Sequence, residues 1–392
     1  MKHTLLILLF LPLLLFSQNS GGPDGYGYTW VDSNDPSGPI YSWVDIELPN
    51  NLVTGLGDDN VIGSFPIENF KFYWYNAAYF SIGSNGFIAF SNPQNIASPF
   101  PLIPSASGAN DFIAPLLSDL SFAGVNNPAE CYVDNHNVDS TIISFVNVPF
   151  WQQSNPQYTG SNTFQIILCH IDSTIIFQYK SMNGITNGND ITIGIESVAG
   201  SIGLQHSQDT YPQSLYSIKF SPPSIFNASP ITDVATSWND NNENKGIFLS
   251  NQGDIHSVIS NVANVGNQNV SSIAVTSNIT PLLGMPVVTN NWLINSLSIA
   301  QDTTLVFPIS FSPSTAGIYT FSSQATLVGD INPSNNSIEQ EIVVLDTTQS
   351  NINLCFANDL AATTLTGINW AGGNGGIAVY FEPSFYPAKL TS

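Results

Sequence analysis

Almost nowhere along this chain do apolar residues recur at the three-and-four spacing of a helix. They come in short runs rich in Val, Ile, Phe, Tyr and Thr, cut off by clusters of Gly, Pro, Asn and Asp. Such runs read as strands joined by turns. Thr141–Val148, Thr163–Ile171, Thr174–Tyr179 and Ile191–Glu196 are of this kind in the first half of the chain. In the second of them Phe164, Ile166 and Leu168 alternate with Gln165 and Cys169, the period of a strand. The pair Asp172-Ser173 then leads into Ile175 and Phe177, which predicts a hairpin. Further strands are expected at Ser257–Val262, Val270–Ser277, Thr304–Ser310, Gly317–Leu327 and Ile338–Leu345. The fold class is therefore all-β, a tandem array of β-sandwich domains, and 43% hydrophobic residues supply cores for two of them.

The chain opens on Met1, Lys2 and His3, followed by an apolar run from Leu5 to Phe16 that contains Pro12. That run is too short for a membrane span, which needs about 20 apolar residues, and has the form of a secretory signal peptide. A Pro-rich break at Ser221-Pro222-Pro223-Ser224 separates an aromatic-rich region from one richer in Val, Ser and Asn. The expected organisation is a signal peptide at 1–17, a β-sandwich at 18–222 and an immunoglobulin-like sandwich at 223–347. Residues 348–392, with Gly372-Gly373-Asn374-Gly375-Gly376, then read as the start of a truncated third β domain.

Charge narrows the function. Loss of Lys2 with the leader leaves 5 cationic against 28 acidic residues, 5 − 28 = −23. A surface of that sign repels polyanions, so nucleic acid is excluded as a partner. Cys131, Cys169 and Cys355 are too few to staple an exported protein, and both a Cys131–Cys169 bridge and free buried thiols fit the sequence.

Gly22-Pro23-Asp24-Gly25-Tyr26-Gly27-Tyr28-Thr29-Trp30 and Trp43-Val44-Asp45-Ile46 are followed by Gly55-Leu56-Gly57-Asp58-Asp59-Asn60 and Phe70-Lys71-Phe72-Tyr73. Ser84-Asn85-Gly86-Phe87-Ile88-Ala89-Phe90 and Ile113-Ala114-Pro115 come next. Together these stretches resemble the nidogen-like extracellular domain of large exported bacterial surface proteins. Where relatives place a Trp and paired acids after Ala-Pro, this chain has Leu116-Leu117-Ser118-Asp119, and Asp119 alone is acidic. Asn261-Val262-Ala263-Asn264-Val265-Gly266 and Gly329-Asp330-Ile331-Asn332-Pro333-Ser334-Asn335-Asn336 are similar to the bacterial cell-adhesion-related (CARDB-like) sandwich domain. The end of the chain resembles a module of type IX secretion cargo, which implies passage through that export machinery.

For chemistry, His136, His170, His206 and His256 stand isolated, and no hydrolase, kinase or phosphate-loop motif is present. His170 beside Cys169 is not a dyad, since neighbouring strand residues face opposite ways. Hard oxygen ligands for calcium, the one cofactor candidate, are offered by Asp32, Asn34 and Asp35 and by Asp58 and Asp59, with Asx turns as the competing account. Phe70 and Phe72 alternate as core residues should. Trp74, Tyr75, Trp151 and Tyr158 are the aromatic candidates for ligand contact. The expected function is a secreted or surface-displayed, non-catalytic adhesion or scaffold protein that binds an extracellular glycan or protein, with no membrane span after leader cleavage. Two alternatives are the accessory region of a larger exported hydrolase and a carbohydrate-binding module.

Overall fold

A computed structural model describes residues 19–346 except 91–93, 107, 153–155, 185–189, 225–229, 241–247 and 251–254. The expected leader, the third β module and Cys355 lie outside the described residues. Within them the chain is built of strands with two short 3-10 turns, at Pro49–Asn51 and Pro333–Asn335. The strands form four sheets that close into two successive β-sandwiches.

One sheet of the first sandwich has eight strands. In spatial order they are Ser20–Gly21, Thr29–Asp32, Tyr216–Ser221, Ile175–Asn183, Tyr158–Cys169, Ser140–Trp151, Glu130–Asp134 and Leu52–Val53. Facing it are six strands in the order Gly203–Gln208, Thr192–Glu196, Phe112–Leu117, Phe87–Ala89, Tyr75–Gly83 and Val61–Phe72. Every pairing in both sheets is antiparallel. The expected hairpin forms with Leu168 opposite Ile175 and with Ser173 in the left-handed region at φ 57°. Phe164, Ile166 and Leu168 point into the core between the sheets, together with Phe70, Phe72, Phe145 and Phe177.

The opposite face of the eight-stranded sheet is covered as well, which simple alternation did not lead us to expect. Gln165 is fully buried and Gln178 nearly so. Each clasps an extended segment: Gln165 accepts from Val44 N and donates to Val44 O, at 3.1 and 3.0 Å. Gln178 does the same with Ser42, at 2.9 Å both ways. The two side-chain amides thus stand in for a neighbouring strand. Beyond them Ile46 joins Tyr132, Ile142, Val146 and Ile167 in a small core of its own. Lys180 lies over the Trp43 ring and pairs with Glu47 at 3.7 Å.

In the second sandwich, Val234–Asp240, Ile259–Asn264 and Asp302–Val306 form a three-stranded sheet. Phe248–Ser250, Ser337–Leu345, Gly317–Thr326, Val270–Pro281 and Val288–Leu297 form the other. Val234, Val262 and Leu305 from the first meet Ile273, Val275, Phe321, Ile342 and Val344 from the second in one core. One pair is parallel, Phe248–Ser250 with Ser337–Leu345. Cys131 and Cys169 are both free. Their strands are separated by Ser140–Trp151, and two strand spacings, about 10 Å, exceed what a disulfide can span.

Candidate functional site

The candidate residues fall in three places. At the first, Asp32 ends a strand and is 2% exposed. Its oxygens are committed, one to Asn34 N at 2.7 Å and the other to the Tyr216 hydroxyl at 2.7 Å. The same phenol meets His206 Nε2 at 3.1 Å, and the imidazole packs on Trp30. Burial pushes the His206 pKa down to about 4, against the opposing pull of Asp32. Asp35 accepts from both the amide and the hydroxyl of Ser37. Asp32, Asn34 and Asp35 are therefore ordered by Asx-type turns and a buried phenol.

The second place joins residues far apart in sequence. Asp58 pairs across a β-bridge with Ser121, next to the loop that carries Asp119. Asp59 sits at φ 49° and accepts from the Asn85 amide at 2.8 Å. Burial, then the Asp59 charge, pushes Asp58 up to about 6. Burial, then Asp59, Asp58 and Asp190, pushes Asp119 up to about 7. One oxygen of Asp58 is shielded from solvent with no hydrogen-bond partner. Trp151 and Tyr158 are cross-strand neighbours at its margin, with Trp151 N bonded to Asp119 O and the Tyr158 phenol bonded to Ser121. Both aromatics are half-buried. Among the described residues no three His, Cys, Asp or Glu side chains are grouped so as to hold a metal ion.

Trp74 and Tyr75 mark the third place, the seam between the sandwiches. Strands Val61–Phe72 and Tyr75–Gly83 meet in a tight turn with Tyr73 at φ 50°, which throws Trp74 out at the tip. Its indole N–H donates to Val265 O at 3.1 Å, across to the second sandwich, while its ring packs on Tyr26 and Tyr73. The Val265 carbonyl is held in place by Asn264. That side chain donates to the carbonyls of Gln268, Leu297 and Ser298 and accepts from Gly266 N. Gly266 is required there, since a Cβ would stand 2.4 Å from Ile231 O.

A second strap crosses the seam from the loop after Gly317–Thr326. Asp330 accepts from Val234 N and from Asn332 N, and Asn332 in turn donates to Ala199 O at 2.7 Å. Ser334 reaches Ala106 O at 3.1 Å. The two sequence motifs of the second sandwich, around Asn264 and around Asp330, are thus the parts that grip the first.

Between these straps lies a cavity of about 610 Å³, lined from one side by Trp74, Tyr75 and Asp111 and from the other by Thr236, Asn264 and Asn335. The Tyr75 hydroxyl is 2.6 Å from both Asp111 oxygens, and Asp111 is buried in the left-handed region at φ 65°. Two further carboxylates are enclosed in the same part of the molecule. Glu196 accepts from Ser105 N at 2.6 Å, and burial pushes its pKa up to about 9. Asp233 accepts from Asn335 Nδ2 with one oxygen, its other oxygen is unpartnered, and burial pushes it up to about 8. Aromaticity alone had flagged Trp74 and Tyr75. Asp111, Glu196 and Asp233 carried no local signal: Asp111 and Asp233 are isolated acids in turn-like sequence, and Glu196 closes a strand run where an acid reads as a solvated end.

His170 is structural: its ring nitrogens meet Thr141 Oγ1 and Val138 O. No helix among the described residues is long and apolar enough to cross a membrane.

The profile of the family described as NIDO related matches residues 40–239, just over half of the 392-residue chain. The crystal structure of a CARDB domain from Pyrococcus furiosus, described as in complex with di-metal ions, is similar at 20% identity and a TM-score of 0.23. The match covers 30% of this chain and 89% of that one. A solution structure of the same domain gives 22% identity and a TM-score of 0.22, covering 30% of this chain and 95% of that one. No curated protein matches.

Proposed function

This chain belongs to the NIDO-related family, and from that premise we propose that it is a secreted or surface-displayed protein that binds an extracellular ligand without transforming it. The nidogen-related sandwich is a module of the extracellular, adhesion type. The observation that carries the proposal is the seam. Trp74 to Val265 and Asn332 to Ala199 tie the second sandwich to the first through partly or fully buried hydrogen bonds. Such bonds hold two modules in one orientation, whereas a flexible linker leaves them independent. A fixed pair of sandwiches is what a scaffold presenting one binding surface requires.

The test uses the full secreted chain coupled to beads under flow, over surfaces coated separately with polysaccharides and with matrix proteins. Retention on at least one surface, with no sugar or peptide released from it, is the expected result. Release of product would show an enzyme, and equal washing from every surface would remove the adhesive reading.

A further inference from the structure

We propose that the cavity between the two sandwiches binds a neutral saccharide; this rests on the ligand-binding reading above and names where and what the ligand is. The cavity, about 610 Å³, lies within the size range of small-ligand sites, about 300–1,000 Å³, and both sandwiches build it.

The chemistry of its wall excludes charged ligands. Asp111 is its one charged lining residue among those described, and no Lys, Arg or His contributes. A phosphate, sulfate or carboxylate would meet no opposite charge there, on a chain of net charge −22. A cation would meet a single carboxylate already held by the Tyr75 hydroxyl through both oxygens.

What the wall does offer is two apolar rings and a set of neutral polar groups. The polar ends of both rings are committed, Trp74 to Val265 and Tyr75 to Asp111, so that what each adds to the wall is ring surface. Facing them are the exposed hydroxyl of Ser237 and the hydroxyls of Thr236 and Ser334, which donate to Asn336 O and Ala106 O and keep lone pairs with which to accept, and the Asn335 amide, one proton of which is held by Asp233. A molecule with hydroxyls around an apolar ring face satisfies both halves of such a wall, and that molecule is a sugar.

The experiment is calorimetric titration of the full secreted chain with cellopentaose, xylopentaose, laminaripentaose and chitopentaose, each in turn. Saturable binding of at least one is expected. Ser237 is exposed on the cavity wall, so Ser237→Trp should plug the site and weaken binding at least about tenfold, roughly 1.4 kcal/mol. Trp238→Ala, one residue on and outside the wall, should leave it unchanged. Equal unfolding midpoints for the three proteins show that the fold is intact. The proposal is overturned if no oligosaccharide binds at about 10 mM, a level that detects even millimolar affinity. Binding that survives Ser237→Trp overturns it too, as does saturation of the cavity by a tripeptide such as trialanine in place of sugar. Bead retention on a protein-coated surface with no oligosaccharide binding would leave the adhesive reading standing while this inference falls. Loss of retention everywhere would remove both.

Discussion

Glu196 and Asp233 are carboxylates enclosed where water cannot solvate their charge, with pKa values pushed up to about 9 and about 8. Asp58 and Asp119, raised to about 6 and about 7, add mutual repulsion to partial burial. A group whose folded pKa lies above its unfolded value contributes stability below the unfolded value, near 4, and loses it as pH rises through the folded one. The unfolding midpoint should therefore climb as pH is lowered from about 9 to about 5. His206 works the other way, because its folded pKa is lowered, and it blunts the climb below about 6.5. Glu196→Gln keeps an acceptor for Ser105 N and removes the charge. It should raise the midpoint at pH 8 and flatten the upper part of the profile; an unchanged profile would mean that Glu196 is not the group titrating there. For Asp58, Asp59 and Asp119, calcium at pH 7.5 should shift the midpoint no further than sodium chloride of equal ionic strength. A calcium-specific rise, reversed by chelator, would show these carboxylates closing on the ion.

At the scale of elements, the extended strap at residues 42–46 depends on Gln165 and Gln178. Each supplies two hydrogen bonds, and a buried pair of this kind contributes about 1–3 kcal/mol. Gln165→Ala with Gln178→Ala should release the strap, seen as faster amide exchange at Ser42 and Val44 while the hairpin around Leu168 and Ile175 stays protected. Uniform loss of protection across the sheet would contradict a local role. This element also marks the limit of reading the chain by periodicity. The hairpin was legible because Phe164, Ile166 and Leu168 alternate and Asp172-Ser173 supplies the turn. Alternation puts Gln165 on the face opposite Phe164 and Ile166 but says nothing of what covers that face, which is a strap anchored 121 residues earlier. Strand Val288–Leu297 escaped notice for the opposite reason. It lies at a sheet edge with Trp292 and Leu293 exposed and Asn290 buried, which erases the alternation. The aromatic half of the cavity was legible as the run after Phe72. Its other half, Thr236 and Asn335, comes from a strand and a 3-10 turn more than 150 residues later, which no local pattern connects to Trp74.

At the scale of the whole molecule, Trp74→Ala with Asn332→Ala should uncouple the sandwiches. Small-angle scattering should then show a longer, more variable particle, and melting should separate into two transitions; one unchanged transition would mean that the remaining contacts suffice. Once the sandwiches are held together, tension applied along the chain must pass through the second of them. There the strand Phe248–Ser250, early in that sandwich, runs parallel to the last described strand, Ser337–Leu345. Tension arriving from the first sandwich meets Val234–Asp240 and its antiparallel partner, and once that strand yields it draws the parallel pair past each other lengthwise. Their cross-strand bonds then bear the load together and give way together, unlike a hairpin, which unzips one rung at a time. A sandwich wired in this way resists a steady pull and then yields abruptly, as a mechanical fuse does.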